Sequence, residues 1–110
     1  MKIKQTTMLK GISLGGFILR PFAGDKLMLV RVEGAVGALA PAHAHPHEQM
    51  SLVISRRIRF RLLGEEHELG PGEALHIPSG TEHEALVLEE LVMYEIFHPV
   101  REDFLALIES

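Results

Sequence analysis

The sequence predicts an all-β protein, a sandwich or barrel that ends in a short helix or turn. Three observations support this class. Short strand-like runs recur along the chain, separated by Gly, Pro, Asp or paired Glu residues. No segment before residue 102 shows a long apolar stripe at helical spacing. A length of 110 residues suits one core, so residues 1–110 are expected to form a single domain.

Each strand-like run is apolar or alternates, and a turn signal follows it. In chain order the runs are FILRPF at 17–22, LMLVRVEG at 27–34, MSLVISRRIRFRLLG at 50–64, EALHIPSG at 73–80 and ALVLEELVMYEIF at 85–97. Regular short strands of this kind are typical of sandwiches and barrels. The last segment, EDFLALIES at 102–110, has two acidic residues followed by apolar ones, which predicts a short helix or turn.

Arginines at 57, 59 and 61 alternate with apolar residues at 58, 60 and 62. The apolar side is expected to face the core, because neighbouring side chains in a strand point to opposite faces. LGEE at 63–66 predicts a hairpin turn, after which Glu66 and Glu68 return opposite the arginines as ion pairs. The alternative is that these arginines bind an anion or RNA.

Composition excludes several kinds of site. The formal charge of −4 argues against a large basic surface for nucleic acid. The absence of cysteine excludes disulfides and thiolate zinc sites, so any metal must be bound by histidine, carboxylate or amide. No apolar run has the length of a membrane helix, and MKIKQTTMLK lacks the features of a secretory signal. A cytoplasmic location is therefore expected.

The stretch PAHAHPHEQ, residues 41–49, places five possible metal ligands within seven positions. In a regular strand His43, His45, His47 and Gln49 would share one face. His43 and His45 are close enough to converge on one ion at about 2.0–2.1 Å. Pro46 favours a bend that returns Gln49 to the same ion.

A second stretch, GEALHIPSGTEH at residues 72–83, supplies a further ligand. Pro78 fixes its backbone φ angle and Gly80 allows a positive one, so the turn can aim His83 back into the barrel.

Together the two stretches resemble the two motifs of the cupin family. The first has Gly37, five residues, His43, one residue, His45, three residues and Gln49; the second has Gly72, five residues, Pro78, one residue, Gly80, two residues and His83. The resemblance implies a double-stranded β-helix, or jelly-roll barrel, that is often dimeric. It also implies one divalent metal, bound here by His43, His45, Gln49 and His83.

Two positions depart from the family pattern. Gln49 stands where many cupins have Glu, so the predicted ligands are all neutral and leave a divalent ion with its full charge. Glu48 is an alternative ligand, although a slip of one residue would turn it to the opposite face. Arg56 replaces a Gly that usually follows the first motif, which affects the turn between strands and leaves the metal hypothesis unchanged. Zn, Ni, Fe and Mn all remain candidates.

The segment YEIFHPVRED, residues 94–103, is the second candidate for chemistry. As a strand it would place Glu95 and Phe97 on one face, where both can line a pocket. Arg101 beyond Pro99 offers a planar fork to a carboxylate. Alternatively, Arg101 is a surface residue paired with an acidic neighbour at 102 or 103.

This tail and the first motif are similar to small cupins that open 4,5-unsaturated uronates to linear keto acids. That resemblance implies an isomerase-type reaction on a small carboxylate substrate. Arg101 would hold the carboxylate, Glu95 would transfer a proton, and Phe97 would pack against the face of the sugar ring. Glu95 stands where Asp is expected in that subgroup. Two alternatives are a cupin dioxygenase with a redox metal and a non-catalytic cupin that binds a sugar or acid.

The remaining histidines and two apolar residues complete the predictions. His67 and His76 are expected to be satisfied or solvated, whereas roles for His47 and His98 stay open. Leu52 and Ile54 lie out of phase with Gln49 and should face away from the metal. Apolar residues there favour a homodimer.

Overall fold

A computed structural model describes residues 1–109, which form ten strands and one α-helix. The elements are β1 Ile12–Leu14, β2 Phe17–Ala23, β3 Met28–Gly34, β4 Leu39–His43, β5 Glu48–Ser55, β6 Ile58–Leu62, β7 Glu65–Leu69, β8 Ala74–Ile77, β9 His83–Val87, β10 Leu91–His98 and α1 Glu102–Glu109. A short 3-10 turn at Thr6–Met8 precedes them. The all-β prediction and the predicted C-terminal helix are confirmed.

The described strands lie in two antiparallel sheets that face each other. The six-stranded sheet has the order β1-β2-β3-β10-β5-β8, and the four-stranded sheet has the order β4-β9-β6-β7. Burial alternates along the strands, so that every second residue of β3 and of β9 is buried. The inner faces of the two sheets therefore enclose the barrel interior, as in a jelly roll.

Apolar side chains from both sheets fill the barrel. Val30, Val53, Ile58, Phe60 and Val87 are each at most 1% exposed. Burial of such a side chain stabilises a fold by about 1.5–3 kcal/mol relative to its exposure. The core thus holds the two sheets in a fixed relation, which positions the side chains that point into the cavity.

Two of the predicted runs each contain two strands. The run at 50–64 breaks between β5 and β6, where Arg56 has a φ angle of +73°. This left-handed conformation costs a residue other than glycine about 1 kcal/mol, and it is the conformation that the replaced Gly would adopt readily. The run at 85–97 breaks between β9 and β10. β1 and the beginning of β4 were not among the predicted runs.

The β6–β7 hairpin agrees with the predicted alternation. Leu63 and Gly64 have positive φ angles of 52° and 74°, as in the primed turns that connect two antiparallel strands. Side-chain ion pairs join Arg57 to Glu68, and both Arg59 and Arg61 to Glu66. The prediction of cross-strand ion pairs is therefore confirmed on the outer face of this sheet.

Helix α1 packs against one end of the barrel. Phe104 is its buried side chain, and Leu105 and Ile108 pack against the core. Glu102 and Asp103 lie in the first turn, where negative charge favours the helix. Within residues 1–109, no helix is long and apolar enough to cross a bilayer.

Candidate metal centre and active site

Three histidines meet at one end of the barrel. One ring nitrogen from each of His43, His45 and His83 lies within 4.8 Å of the others. His43 ends β4 and His83 begins β9, and their Cα atoms are partners in the antiparallel ladder. His45 lies after the end of β4 and not in a regular strand, so the first two histidines converge through a loop. The structure thus brings the three predicted imidazoles together.

Backbone carbonyl groups orient all three rings. Nδ1 of His43 lies 2.7 Å from the carbonyl oxygen of Pro41, and Nδ1 of His83 lies 2.8 Å from the carbonyl oxygen of Thr81. In His45, Nδ1 lies 3.0 Å from the carbonyl oxygen of His47. Because a carbonyl oxygen only accepts, Nδ1 carries the proton in neutral His43 and His83, and Nε2 keeps a lone pair. This pattern is typical of histidines that bind a metal through Nε2. In His45, Nε2 also faces an acceptor, Gln49 Oε1.

The surroundings keep two of these imidazoles uncharged. Burial, with Arg101 and His83 nearby, lowers the pKa of His45 to about 4. Burial also lowers the pKa of His83, and His43 and Arg101 add to the effect. Neutral imidazole is the form that binds a metal ion, so both rings are ready as ligands at neutral pH.

Gln49 lies beside the triad, on β5. Its side chain is 3% exposed and its Oε1 lies 3.1 Å from His45 Nε2. Glu48 points to the other face, where its carboxylate lies 2.7 Å from His76 Nε2. Of the two candidates at this place in the chain, Gln49 is the one beside the triad.

The surroundings of His45 indicate whether the residues of this site suit a bound cation. Its two ring nitrogens face two acceptor oxygens, the His47 carbonyl oxygen and Gln49 Oε1. A neutral imidazole has one N–H, so one of these contacts joins two lone pairs. Protonation of both nitrogens would relieve this, but the pKa of about 4 opposes it at neutral pH. A divalent ion beside Nε2 and Oε1 resolves the conflict, and the imidazole and amide donors suit a transition ion.

Glu95 lies deep in the barrel next to Gln49. Its Oε2 accepts hydrogen bonds from Gln49 Nε2 at 2.6 Å and from the Ser51 hydroxyl at 3.0 Å. Burial raises the pKa of the Glu95 carboxyl to about 7, against opposing effects of Ser51 and Arg101. Glu95 as a whole is half-buried, and it lines the cavity. It can therefore hold or release a proton near neutral pH.

These groups open onto one cavity of about 590 Å³. Its wall includes His43, Gln49, His83, Glu95 and Arg101, and apolar side chains from both sheets and from α1. Phe97 is 1% exposed and also lines this cavity. The predicted pair on one face of β10, Glu95 and Phe97, thus shares a pocket with His43 and His83 of the triad.

Arg101 is held by α1 and two aromatic rings. Its Nε lies 3.0 Å from Asp103 Oδ1 and its Nη2 lies 2.7 Å from Oδ2. The guanidinium carbon lies 4.9 Å from the centre of the Phe97 ring and 4.1 Å from that of Phe104. Arg101 therefore pairs with an acidic neighbour and also lines the cavity, so the two sequence-based alternatives are compatible. The Nη1 side of the guanidinium is the edge that Asp103 does not use.

The other histidines lie outside the triad. His76 pairs with Glu48, and His67 Nε2 lies 3.5 Å from a Glu65 carboxylate oxygen. The ring of His47 packs beside those of His45 and Phe97, and its Nδ1 is buried without a hydrogen-bond partner among the described residues. His98 is exposed at the end of β10.

Three residues of the site were not predicted from the sequence: Ser51, Asp103 and Phe104. Ser51 is in phase with Gln49, so period-two spacing along the strand was a signal that pointed to it. Asp103 was considered only as a surface partner of Arg101, and Phe104 only as part of a helix pattern. No local pattern indicated that α1 would fold over the cavity.

Solved structures share this architecture. KdgF from Halomonas sp. superposes with a TM-score of 0.87 at 28% identity, over 94% of this chain and 98% of that one. An RmlC-like cupin from Shewanella frigidimarina has a TM-score of 0.87 at 24% identity, over 94% and 96% of the two chains. An oxalate decarboxylase variant from Bacillus subtilis has a TM-score of 0.80 at 19% identity, over 89% of this chain and 30% of that one. The last two similarities concern the fold alone.

No curated protein sequence matches this chain significantly. The cupin domain model of the Cupin_2 family matches residues 30–97, well over half of the chain. This range includes the three histidines and Gln49. The sequence motifs, the two facing sheets and the family match agree, and the chain belongs to the cupin family.

Proposed function

We propose that this cupin is a metal-dependent enzyme that binds a small carboxylate and opens the ring of an unsaturated uronate. The arrangement around His45 supports the metal part of this proposal. Its two ring nitrogens face two acceptor oxygens, and a neutral imidazole has only one proton to donate to them. The cavity supports the substrate part, because the cationic Arg101 and the carboxyl of Glu95 line the same space as His43 and His83. The substrate class itself rests on the motif and tail that resemble uronate-opening cupins.

One divalent transition ion would be held by His43, His45, Gln49 and His83. When bound, it would supply Lewis-acid polarisation of a substrate hydroxyl or carbonyl oxygen. Zn, Ni, Fe and Mn each suit these donors. Since all four donors are neutral, the site favours a negatively charged substrate.

Arg101 is the group that would hold the substrate carboxylate. Asp103 occupies the Nε and Nη2 edge of its guanidinium, which leaves the Nη1 edge for a ligand. The rings of Phe97 and Phe104 support the guanidinium plane. A receptor that is already oriented loses little conformational entropy when it binds. Phe97 would also provide an apolar wall for the sugar ring.

Glu95 is the group that would move the proton. In ring opening the anomeric hydroxyl loses its proton, C1 becomes an aldehyde and the bond between C1 and the ring oxygen breaks. The ring oxygen becomes the C5 ketone, and the electron pair of the C4–C5 double bond takes up a proton at C4. The product is a linear keto acid with the same atoms, so no redox partner is needed. Gln49 and Ser51 both bind Oε2 of Glu95, so Oε1 is the oxygen that is left to carry the proton. A positioned acid and base of this kind contributes about 10²–10⁴-fold to a rate.

The test is turnover of 4,5-unsaturated galacturonate by protein reconstituted with Zn²⁺. Loss of the ultraviolet absorbance of the conjugated double bond reports ring opening. We expect catalysed loss with the parent and only the uncatalysed rate with His83→Ala. An uncatalysed rate with the metal-loaded parent would contradict the substrate assignment. Uptake of oxygen by the Fe²⁺ form with a diketone or phenol would favour dioxygenase chemistry instead.

We also propose a homodimer through the outer face of the six-stranded sheet. Leu52 and Ile54 point away from the cavity and are 40% and 48% exposed. Met50 and Ile96 are 52% and 44% exposed on the same outer face, where they are partners in the β5–β10 ladder. An apolar patch on neighbouring strands supports association with a second copy.

A further inference from the structure

Ser51 lies at the junction of β5 and β10, directly behind the predicted ligand Gln49. It is two residues from Gln49 on the same inward face of β5, and its Cα partner on β10 is Glu95. Ser51 is fully buried, and its side chain is small among the inward residues of β5. The longer side chains of Gln49 and Glu95 therefore have room to meet in front of it.

The three side chains form a closed triangle of hydrogen bonds. Gln49 Nε2 donates to Ser51 Oγ at 3.0 Å and to Glu95 Oε2 at 2.6 Å. Ser51 Oγ donates in turn to Glu95 Oε2 at 3.0 Å. Both amide protons of Gln49 are therefore used on the side away from the triad. Its remaining polar atom, Oε1, points to His45.

The reversed amide is disfavoured by the same contacts. A flipped Gln49 would place Oε1 against Oε2 of Glu95, where two acceptors meet when the carboxyl is ionised. The flip would also remove the two hydrogen bonds that Nε2 now donates to Ser51 Oγ and Glu95 Oε2. An unsatisfied buried polar group costs about 1–3 kcal/mol, so the triangle selects one orientation.

We propose that Ser51 is a positioning residue whose hydroxyl fixes the Gln49 amide with its oxygen towards the histidine triad. This inference rests on the proposed metal-binding function. Ser51 does not line the cavity, so it would act on a bound ion through Gln49. It also donates to Glu95 Oε2, so that Oε1 is the carboxyl oxygen that neither Ser51 nor Gln49 binds. In a site with neutral donors, the orientation of the one amide ligand sets how well the site holds an ion.

Titration of the metal-free full-length protein with Co²⁺ tests this role, because visible absorption of bound Co²⁺ reports both affinity and ligand geometry. Ser51→Ala removes the hydroxyl, Ser51→Thr keeps it, and Val53→Ala is the control. Val53 is the next inward residue of β5 and is fully buried, so its truncation lowers stability without touching the triangle. Thermal unfolding of each variant measures that loss of stability.

We expect Ser51→Ala to weaken Co²⁺ binding about 10-fold and to shift the absorption bands of the bound ion. Ser51→Thr should restore the parental spectrum, and Val53→Ala should keep parental affinity and spectrum. Parental Co²⁺ binding in Ser51→Ala would overturn the inference, as would an equal loss in Val53→Ala. Failure of the uronate assay would leave these readouts intact, whereas a parent that binds no Co²⁺ would overturn both proposals.

Discussion

Gln49 Nε2 lies 2.6 Å from Glu95 Oε2, and this hydrogen bond joins the residue beside the histidine triad to the carboxyl in the cavity wall. One side chain thus presents its oxygen to the triad and its nitrogen to the acid. The two halves of the proposed chemistry, the metal centre and the proton carrier, are therefore in direct contact. A substitution of Gln49 should therefore alter the surroundings of the Glu95 carboxyl, and the reverse should also hold.

Replacement of the carboxyl tests the proton transfer. Glu95→Gln keeps the size of the side chain and an oxygen that can accept from Gln49, but it cannot carry a proton. We expect kcat on 4,5-unsaturated galacturonate to fall about 10²–10⁴-fold, with bound metal retained. Steady-state kinetics and elemental analysis measure both quantities. The control is Glu48→Gln on the outer face, and an unchanged kcat in Glu95→Gln would contradict the role.

The raised pKa of Glu95 predicts how stability depends on pH in the metal-free protein. The pKa rises from 4.5 to about 7, so between these values the folded chain holds a proton that the unfolded chain has lost. The free energy of unfolding should therefore fall as pH rises through this window, and level off above it. The total fall is about 3 kcal/mol for a shift of this size.

Urea unfolding of the parent and of Glu95→Gln across this pH range isolates the effect, because other titrating groups are common to both. We expect the variant to gain stability relative to the parent as pH rises. A constant difference between the two proteins would show that the carboxyl is not perturbed.

Arg101 should determine affinity for the substrate carboxylate. Arg101→Lys keeps the charge but loses the planar fork that Asp103 and the two rings orient. Hydrogen bonds between charged groups contribute about 1.5–3 kcal/mol, so we expect KM to rise about 10–100-fold with a smaller change in kcat. Arg57→Lys on the outer face is the matched control. If Arg101→Lys has the same KM as the parent, Arg101 does not bind the substrate carboxylate.

The proposed dimer predicts a mass that responds to charge on the outer sheet face. The double substitution of Leu52→Asp and Ile54→Asp places two carboxylates in the apolar patch. We expect light scattering at micromolar concentration to give twice the chain mass for the parent and a single chain mass for the variant. Leu63→Asp at the exposed β6–β7 turn is the control. A monomeric parent would disprove the dimer.

Local spacing was enough to predict much of this fold. Alternation predicted the inward and outward faces of β6, because strand periodicity is a short-range property. The two motifs predicted which imidazoles would converge, although His45 lies in a loop and not in the strand that period-two spacing implied. The meeting of Ser51 with Glu95 depends on which strands are neighbours, and residues 44 positions apart carry no mark of that pairing. The fold of Phe104 over Arg101 likewise depends on how α1 packs, which its apolar pattern does not specify.

Arg56 shows a different limit. Its side chain gave no reason to expect a left-handed backbone, and only the family pattern, with Gly at that place, pointed to the turn. The structure retains the turn with φ at +73° because the flanking strands β5 and β6 must enter different sheets. At Arg56, tertiary packing therefore outweighs the preference of a residue other than glycine for a negative φ angle.

Metal content tests the central claim most directly. Elemental analysis would be made on protein purified without chelator or a nickel column, for the parent, His45→Ala, His83→Ala and the outer-face control His76→Ala. We predict about one divalent transition ion per chain in the parent and in His76→Ala, and almost none in the other two. A parent that holds no metal, even after reconstitution, would contradict the metalloenzyme account and leave a barrel that only binds its ligand.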